Sequence, residues 1–310
     1  MTALGSTARP TLSVGIPTFG ALPPDGGWRS LLDLGRILED AGVDRVIVAD
    51  HVVNGPNVAD YPWGTFPTGP DAHWLEPLTV LTGIASVTEH LRLGTGILIA
   101  PLRPAPLLAK QVATLDQLSG GRVDLGVGTG WQQAEFDAFG LDFAARGHLL
   151  NDTMGACRAL WERQPATFTS GSVSFIDTYC SPPPAQPRLP VWFSGTLHGR
   201  NVSRIVELGD GWIPIMGSTA EDIQTGVTRL RTAMAAAGRP PESLLVRHSL
   251  PTVRGADGQV DLGATMAAVP AMVDAGATDI HASIQAYDRN LSDPAGACHA
   301  LVAAFKAALG

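Results

Sequence analysis

An aspartate and a histidine, Asp50 and His51, stand side by side directly after the apolar run Val46, Ile47, Val48, Ala49. A histidine titrates close to neutral pH and can move a proton, and a neighbouring carboxylate can orient it or balance its charge. The same pair can also serve as a polar cap for the loop that follows. A second set of residues bears on binding. GTG at positions 94–96 and GVGTG at 126–130 end two apolar runs in almost the same way, and Trp131 follows the second. Glycine has no Cβ, so a flat or phosphorylated group can come close to the backbone there. Tight turns are the other use of such glycines, but the same device on two neighbouring strand ends favours a binding site. Trp131 fits either core packing or a wall against a planar ring. A third stretch, SGTLHGR at 194–200, offers Ser194, Gly195, Thr196 and Gly199 at the start of a helix. Free N–H groups and small side chains there make an anion site, with Arg200 as reinforcement, although many loops of this kind look alike.

The elements that position these residues follow from apolar periodicity. Strands are expected at 12–19, 44–50, 91–99, 122–128, 190–195, 211–216, 244–250 and 278–284. Helices are expected at 27–41, 76–88, 106–118, 200–208, 221–237, 263–275 and 294–308, with a longer helical stretch between the fourth and fifth strands. Eight strand–helix units in 310 residues is the arithmetic of a (β/α)8 TIM barrel forming one α/β domain, in which chemistry gathers at the C-terminal ends of the strands. Asp50, His51 and both glycine clusters fall there.

Composition narrows the function. The formal charge is −8, and no basic cluster offsets it, which argues against a nucleic-acid partner. No apolar run reaches the roughly 18 residues of a membrane span. The first ten residues carry no signal-peptide pattern and read as a short tail. Cys157, Cys180 and Cys298 are isolated and lack CxxC spacing, so neither a disulfide framework nor a zinc site is expected, in keeping with a cytoplasmic protein. No HxxxH or carboxylate cluster supports a metal, and His248 and His281 read as buried barrel residues.

Two segments break the regular spacing. Residues 52–74 are rich in Gly, Pro and Asn, yet carry Tyr61, Trp63, Phe66 and Trp74, which favours a packed lid over a linker. Residues 168–187 look like a short hairpin around Ser170 and Gly171 followed by an extended run, a structural insertion before strand five.

ADH after strand two, GTGILI in strand three, LSGGRVDLGVGTGW in strand four and DGW at strand six resemble the bacterial luciferase-like flavin and deazaflavin oxidoreductases. The likeness covers most of the chain. It implies a (β/α)8 barrel that binds coenzyme F420 or FMN, often as a homodimer, and acts on a small-molecule substrate. It implies a non-proline cis peptide between Gly96 and Ile97, pressing on the back of the ring. By the same resemblance Asp50, Gly96, Ile97, Gly128, Thr129 and Gly130 lie on the cofactor side. His51 handles a proton or stabilises charge near the reactive ring. Ser194, Gly195, Thr196 and nearby Gly199 form the phosphate-binding turn.

The ADH form resembles the coenzyme F420 branch, and the Ala, Gly, Pro and Arg abundance suits an actinobacterial type of source. Sugar-phosphate dehydrogenases of the family place a Glu after the GTG of strand four and lysines around the substrate phosphate. Here Trp131 takes that place, and neither Lys110 nor Lys306 lies in a strand-mouth loop, so an apolar or flat substrate held by Trp63, Phe66 and Trp131 is expected instead. Three activities remain: an F420-dependent oxidoreductase, a monooxygenase dependent on reduced FMN, and a barrel that binds a flavin without turnover. Retention of both Asp50 and His51 disfavours the last.

Overall fold

The computed structural model describes residues 9–21 and 27–310; residues 1–8, most of the expected N-terminal tail, lie outside them. Eight parallel strands form the centre: β1 (Thr11–Gly15), β2 (Arg45–Val48), β3 (Arg92–Thr95, resumed at Leu98–Ile99), β4 (Val123–Gly128), β5 (Val191–Ser194), β6 (Gly211–Ile213), β7 (Leu245–Ser249) and β8 (Asp279–Ser283). Each pairs with the next, β4 pairs with β5 through Trp192 and Gly126, and β8 returns to β1 through Leu12 and Ile280. The sheet is therefore a closed (β/α)8 barrel, as expected, and closure removes unpaired edges.

The helices around it are α1 (Ser30–Ala41), α2 (Pro77–Ala85), α3 (Ala105–Leu118), α4 (Arg146–Glu162), α5 (Gly199–Leu208), α6 (Ala220–Ala236), α7 (Val269–Asp274) and α8 (Pro294–Leu309). In α1, Leu31, Leu34 and Leu38 form the buried stripe, and Gly42 ends the helix in the left-handed region at φ 84°. Glycine is suited to that position because no Cβ opposes it. Among the described residues, no helix is long and apolar enough to cross a membrane.

Three expected elements stop or split beside a proline. The run 12–19 stops at Gly15, before Pro17; Phe19–Gly20 then pairs antiparallel with His73–Trp74. Strand six stops at Ile213, before Pro214. The helix expected at 263–275 is two short helices, Leu262–Met266 and Val269–Asp274, with Pro270 near the start of the second. Proline lacks the N–H that would continue a ladder or a helix. The hairpin before β5 forms as expected, from Ala166–Thr169 and Ser174–Thr178.

The strand-end glycines let neighbouring protein approach closely. A Cβ on Gly126 would stand 2.1 Å from the Thr95 carbonyl oxygen, and one on Gly94 2.5 Å from Ile47. Gly128 would meet Ser194 and Ile97 at 2.7 and 2.8 Å, and Gly130, at φ 74°, would meet Ile99 at 2.8 Å. At all four the missing Cβ admits neighbouring protein. Gly96 likewise would meet Ile47 at 2.5 Å, but it alone of the set is exposed, at the barrel mouth.

The barrel interior is charged. Arg45 donates to Asp124 at 2.7 Å and to Asp279 at 2.6 Å, Arg92 joins Asp124 at 2.6 Å, and Arg247 joins Asp279 at 2.6 Å. Thr11 and Ser13 also donate to Asp279, at 2.7 and 3.0 Å. Burial opposes ionisation of Asp124 and Asp279, but the arginines outweigh it and hold both carboxyls below the usual range. A depressed folded pKa contributes stability that is complete above the unfolded value, near 4, and is lost as pH falls below it. Breaking such a buried pair costs about 3–5 kcal/mol. Asp279→Ala should therefore lower the urea-unfolding free energy by about that amount at pH 7, and the deficit should shrink as pH falls below about 4. A loss under about 1 kcal/mol would contradict this view of the core.

Candidate active site

The mouth is assembled by the dipeptide that ends strand two. Asp50, 4% exposed, accepts from the Ile99 N–H at 2.8 Å and from Arg103 at 2.6 and 3.1 Å. Arg103 also reaches Glu76, at 3.0 Å, beside the first turn of α2. Burial works against the Arg103 charge, yet Asp50 and Glu76 raise its pKa above the ordinary value. Both Asp50 oxygens are thus committed to the chain just beyond the Gly96–Ile97 bulge, at Ile99 and Arg103, which Asp50 braces. The peptide bond between Gly96 and Ile97 is cis.

His51 turns the other way. Its Nδ1 lies 2.8 Å from Glu135 Oε2, while Glu135 Oε1 accepts the Val52 N–H at 2.9 Å. The Trp131 indole N–H lies 3.3 Å from His51 Nε2. An indole can only donate, and an ionised carboxylate can only accept. The two bonds together place a proton on Nδ1 and turn the Nε2 lone pair towards the indole N–H. Glu135 is fully buried, and its two oxygens are spent on His51 and the Val52 N–H. The sequence reading missed it, noting only that Trp131 stands where a related group carries a Glu; the carboxylate enters four residues later, from the short helix Gln133–Ala138.

The segment 52–74 is a packed cover. Gly55 donates to Gln132 at 2.8 Å, tying the start of the segment to the β4 loop. Its end is held by Trp74 stacked on Phe19 at 4.3 Å. Between these anchors, His51 touches Trp74, Phe66 and Trp131 at ring separations of 4.7, 5.3 and 6.0 Å. Tyr61 closes on Phe66 and Trp131 at 5.3 and 5.1 Å. Phe66 is 8% exposed and inside this cluster, whereas Trp63 is 43% exposed and touches Tyr61 at the rim. Of the three expected substrate residues, Phe66 and Trp131 are therefore beside His51 and Trp63 is not.

The turn after β5 lies beside a cavity of about 340 Å³ lined by Gly195, Thr196, Trp212, Met216 and Arg229. The Gly195 N–H is taken by the Ile213 carbonyl at 3.0 Å, and Ser194 belongs to the strand. The donors that remain are the N–H groups of Thr196, Leu197, Gly199 and Arg200, which have no acceptor among the described residues. Gly195 sits at φ 109° and lets the chain turn there. His198 caps α5 by accepting the Asn201 N–H, a role not visible in the sequence. Arg200 faces His148, and Arg204 bonds Asn151, Asn201 and Gly147 without a carboxylate. Burial, then Arg200, lowers the Arg204 pKa to about 10. Thr129 and Gly130 are half-buried just past the end of β4, directly before Trp131.

His281 and His248 lie inside the barrel wall, as expected. Burial is the main cause of the lowered pKa of each, down to about 4 for His281. No group of three or more His, Cys, Asp or Glu able to hold a metal occurs among the described residues.

Residues 12–291 match the model of the luciferase-like monooxygenase family. An uncharacterized protein of Mycobacterium tuberculosis is 33% identical over 209 residues, covering 66% of this chain and 73% of that protein. The FMNH2-dependent dimethylsulfone monooxygenase of Pseudomonas putida is 31% identical over 166 residues, covering 53% of this chain and 45% of that enzyme. Among solved structures, an F420-dependent secondary alcohol dehydrogenase in complex with an F420–acetone adduct superposes with a TM-score of 0.76 at 15% identity, covering 97% of this chain and 99% of that one. At that identity the likeness speaks to the fold.

The Glu135–His51–Trp131 relay makes a specific demand. In Glu135→Gln the amide offers one acceptor and one donor, so its NH2 must face either His51 Nδ1 or the Val52 N–H. The expected result is either a 15N ring shift showing the His51 proton moved to Nε2, or loss of hydrogen-exchange protection at the Val52 amide. If neither changes, Glu135 does not set the tautomer.

Proposed function

The chain belongs to the luciferase-like monooxygenase family, and from that footing we propose that it is a coenzyme F420-dependent oxidoreductase acting on a small apolar or flat organic substrate. One observation carries the reading: His51, at the end of strand two, is seated between Glu135 at Nδ1 and the Trp131 indole N–H at Nε2, and the neighbouring strand three runs on to the exposed Gly96. The residues fit the cofactor. Gly96 is exposed and Ile97 half-buried at the mouth, and the Thr196, Leu197, Gly199 and Arg200 N–H groups offer donors for a phosphate. The cavity running from Thr196 to Arg229 leaves room for a chain beyond that phosphate, as the F420 tail requires and FMN does not. The ADH form of strand two points the same way.

A bound deazaflavin supplies the site with a hydride donor or acceptor. His51 Nε2 takes the proton released as a substrate is oxidised, or returns it in the reverse direction. Glu135 keeps the Nδ1 proton in place and balances the imidazolium that forms. Trp131 occupies Nε2 at rest, so its indole must move aside when substrate arrives. Phe66, Tyr61 and Trp74 then shield the reacting groups from water.

A monooxygenase dependent on reduced FMN is the second reading, favoured by the 31% identity to the dimethylsulfone enzyme. Titration of the apoprotein with each cofactor separates the two. Tight binding of F420 with weak binding of FMN supports the proposal; the reverse order supports the second reading.

General acid–base groups contribute about 10²–10⁴-fold, so His51→Ala should lower kcat by that range with little loss of stability. Turnover within about threefold of wild type would make His51 a loop cap. For the cover, Phe66→Ala should raise the substrate KM and leave cofactor affinity unchanged. Trp63→Ala should do much less, unless Trp63 is a dimer contact, in which case sizing would show dissociation instead.

A further inference from the structure

The charges of the barrel core do not cancel. Three arginines, Arg45, Arg92 and Arg247, share two carboxylates, Asp124 and Asp279. Arg45 divides its donors between both carboxylates, and Arg92 spends its own on Asp124, the Val123 carbonyl and Gln186. Arg247, 3% exposed, donates only through Nε, to Asp279. Its Nη1 and Nη2 are buried without a partner among the described residues. Asp279 has little left to give them, since Arg45, Thr11 and Ser13 also draw on it. His281 brings no negative charge: burial, then Arg247, lowers its pKa to about 4, so its ring is neutral near pH 7.

A third buried donor stands beside these two. Trp192 is 1% exposed, and its Nε1 has no acceptor among the described residues. The guanidinium carbon of Arg247 lies over this indole, 5.0 Å from the ring centre. The side of the indole bearing Cγ, Cδ2 and Cε3 is pressed on β6, where a Cβ on Gly211 would stand 2.4 Å from Cε3. The Nε1 edge therefore faces away from that strand. Nη1 of Arg247 stands 3.8 Å from the point that a Cβ on Gly96 would occupy, so no side chain from Gly96 enters that space.

Guanidinium and indole N–H groups donate and never accept. A water among them must still place two protons of its own, whereas an anion asks only for donors. The unbalanced charge is a single one, and a half-satisfied buried guanidinium is costly, so one small monovalent anion closes both accounts. We propose that the barrel core binds a halide ion, held by Nη1 and Nη2 of Arg247 and Nε1 of Trp192. The ion completes the Arg45–Asp279–Arg247 network, and its site is independent of which cofactor the mouth takes.

Bromide is the probe. Crystals of the full-length protein are soaked in sodium bromide, and anomalous difference maps are compared for wild type, Arg247→Met and Trp192→Phe. Wild type should show a bromide peak in contact with both Arg247 Nη atoms and Trp192 Nε1. Arg247→Met should lose that peak while bromide sites on the surface remain. Trp192→Phe keeps the guanidinium but removes one donor, and its peak should be weaker. Wild-type bromide at surface positions alone, adventitious ions only, overturns the proposal whether or not the Met variant folds. A core peak that persists in Arg247→Met, or one of undiminished height in Trp192→Phe, overturns it as well.

Discussion

The carboxylate of Asp50 holds the mouth of this barrel together. It ends strand two, yet its oxygens bind the Ile99 N–H and Arg103, which belong to the far side of the strand-three bulge. The next residue, His51, reaches in the opposite direction to Glu135, beyond strand four. Two consecutive side chains therefore fasten three neighbouring strand ends. The position of Gly96, the single tautomer of His51 and the seating of residues 52–74 over them all follow from that fastening. Buried carboxylates tolerate such a place because each is fully engaged. Asp50 meets a guanidinium and a backbone N–H, and Glu135 meets an imidazole N–H and a backbone N–H.

The barrel itself was legible because its evidence is periodic. Apolar runs alternating with amphipathic ones specify strand–helix units, and eight of them leave one closed arrangement. The errors cluster at Pro17, Pro214 and Pro270, where an apolar pattern continues but the backbone donor does not. Asp50, His51, Gly96 and Trp131 were also visible, since a polar or glycine residue at the end of an apolar run is conspicuous.

Glu135, Arg103 and Arg247 were not visible, and for a physical reason. Each matters through a contact between distant parts of the chain: Glu135 with His51, Arg103 with Asp50, Arg247 with the underside of Gly96. A glutamate in a short helix and an arginine in a loop carry no local sign of burial. Gly126 and Gly94 illustrate the converse. Their pattern suggested room for a ligand, whereas the space each leaves is filled by Thr95 and Ile47. Glycine in a strand signals close approach; which group approaches is a tertiary fact.

The central claim is that the mouth fastened by Asp50 and His51 is where the cofactor binds. A crystal structure of the protein with F420 bound tests it most directly. The account predicts the ring against Gly96 and Ile97, within reach of His51, with its phosphate on the N–H groups of Thr196, Leu197, Gly199 and Arg200. Cofactor density at another rim of the barrel, with this mouth still filled by Trp131 and Phe66 and the turn after strand five empty, would contradict it.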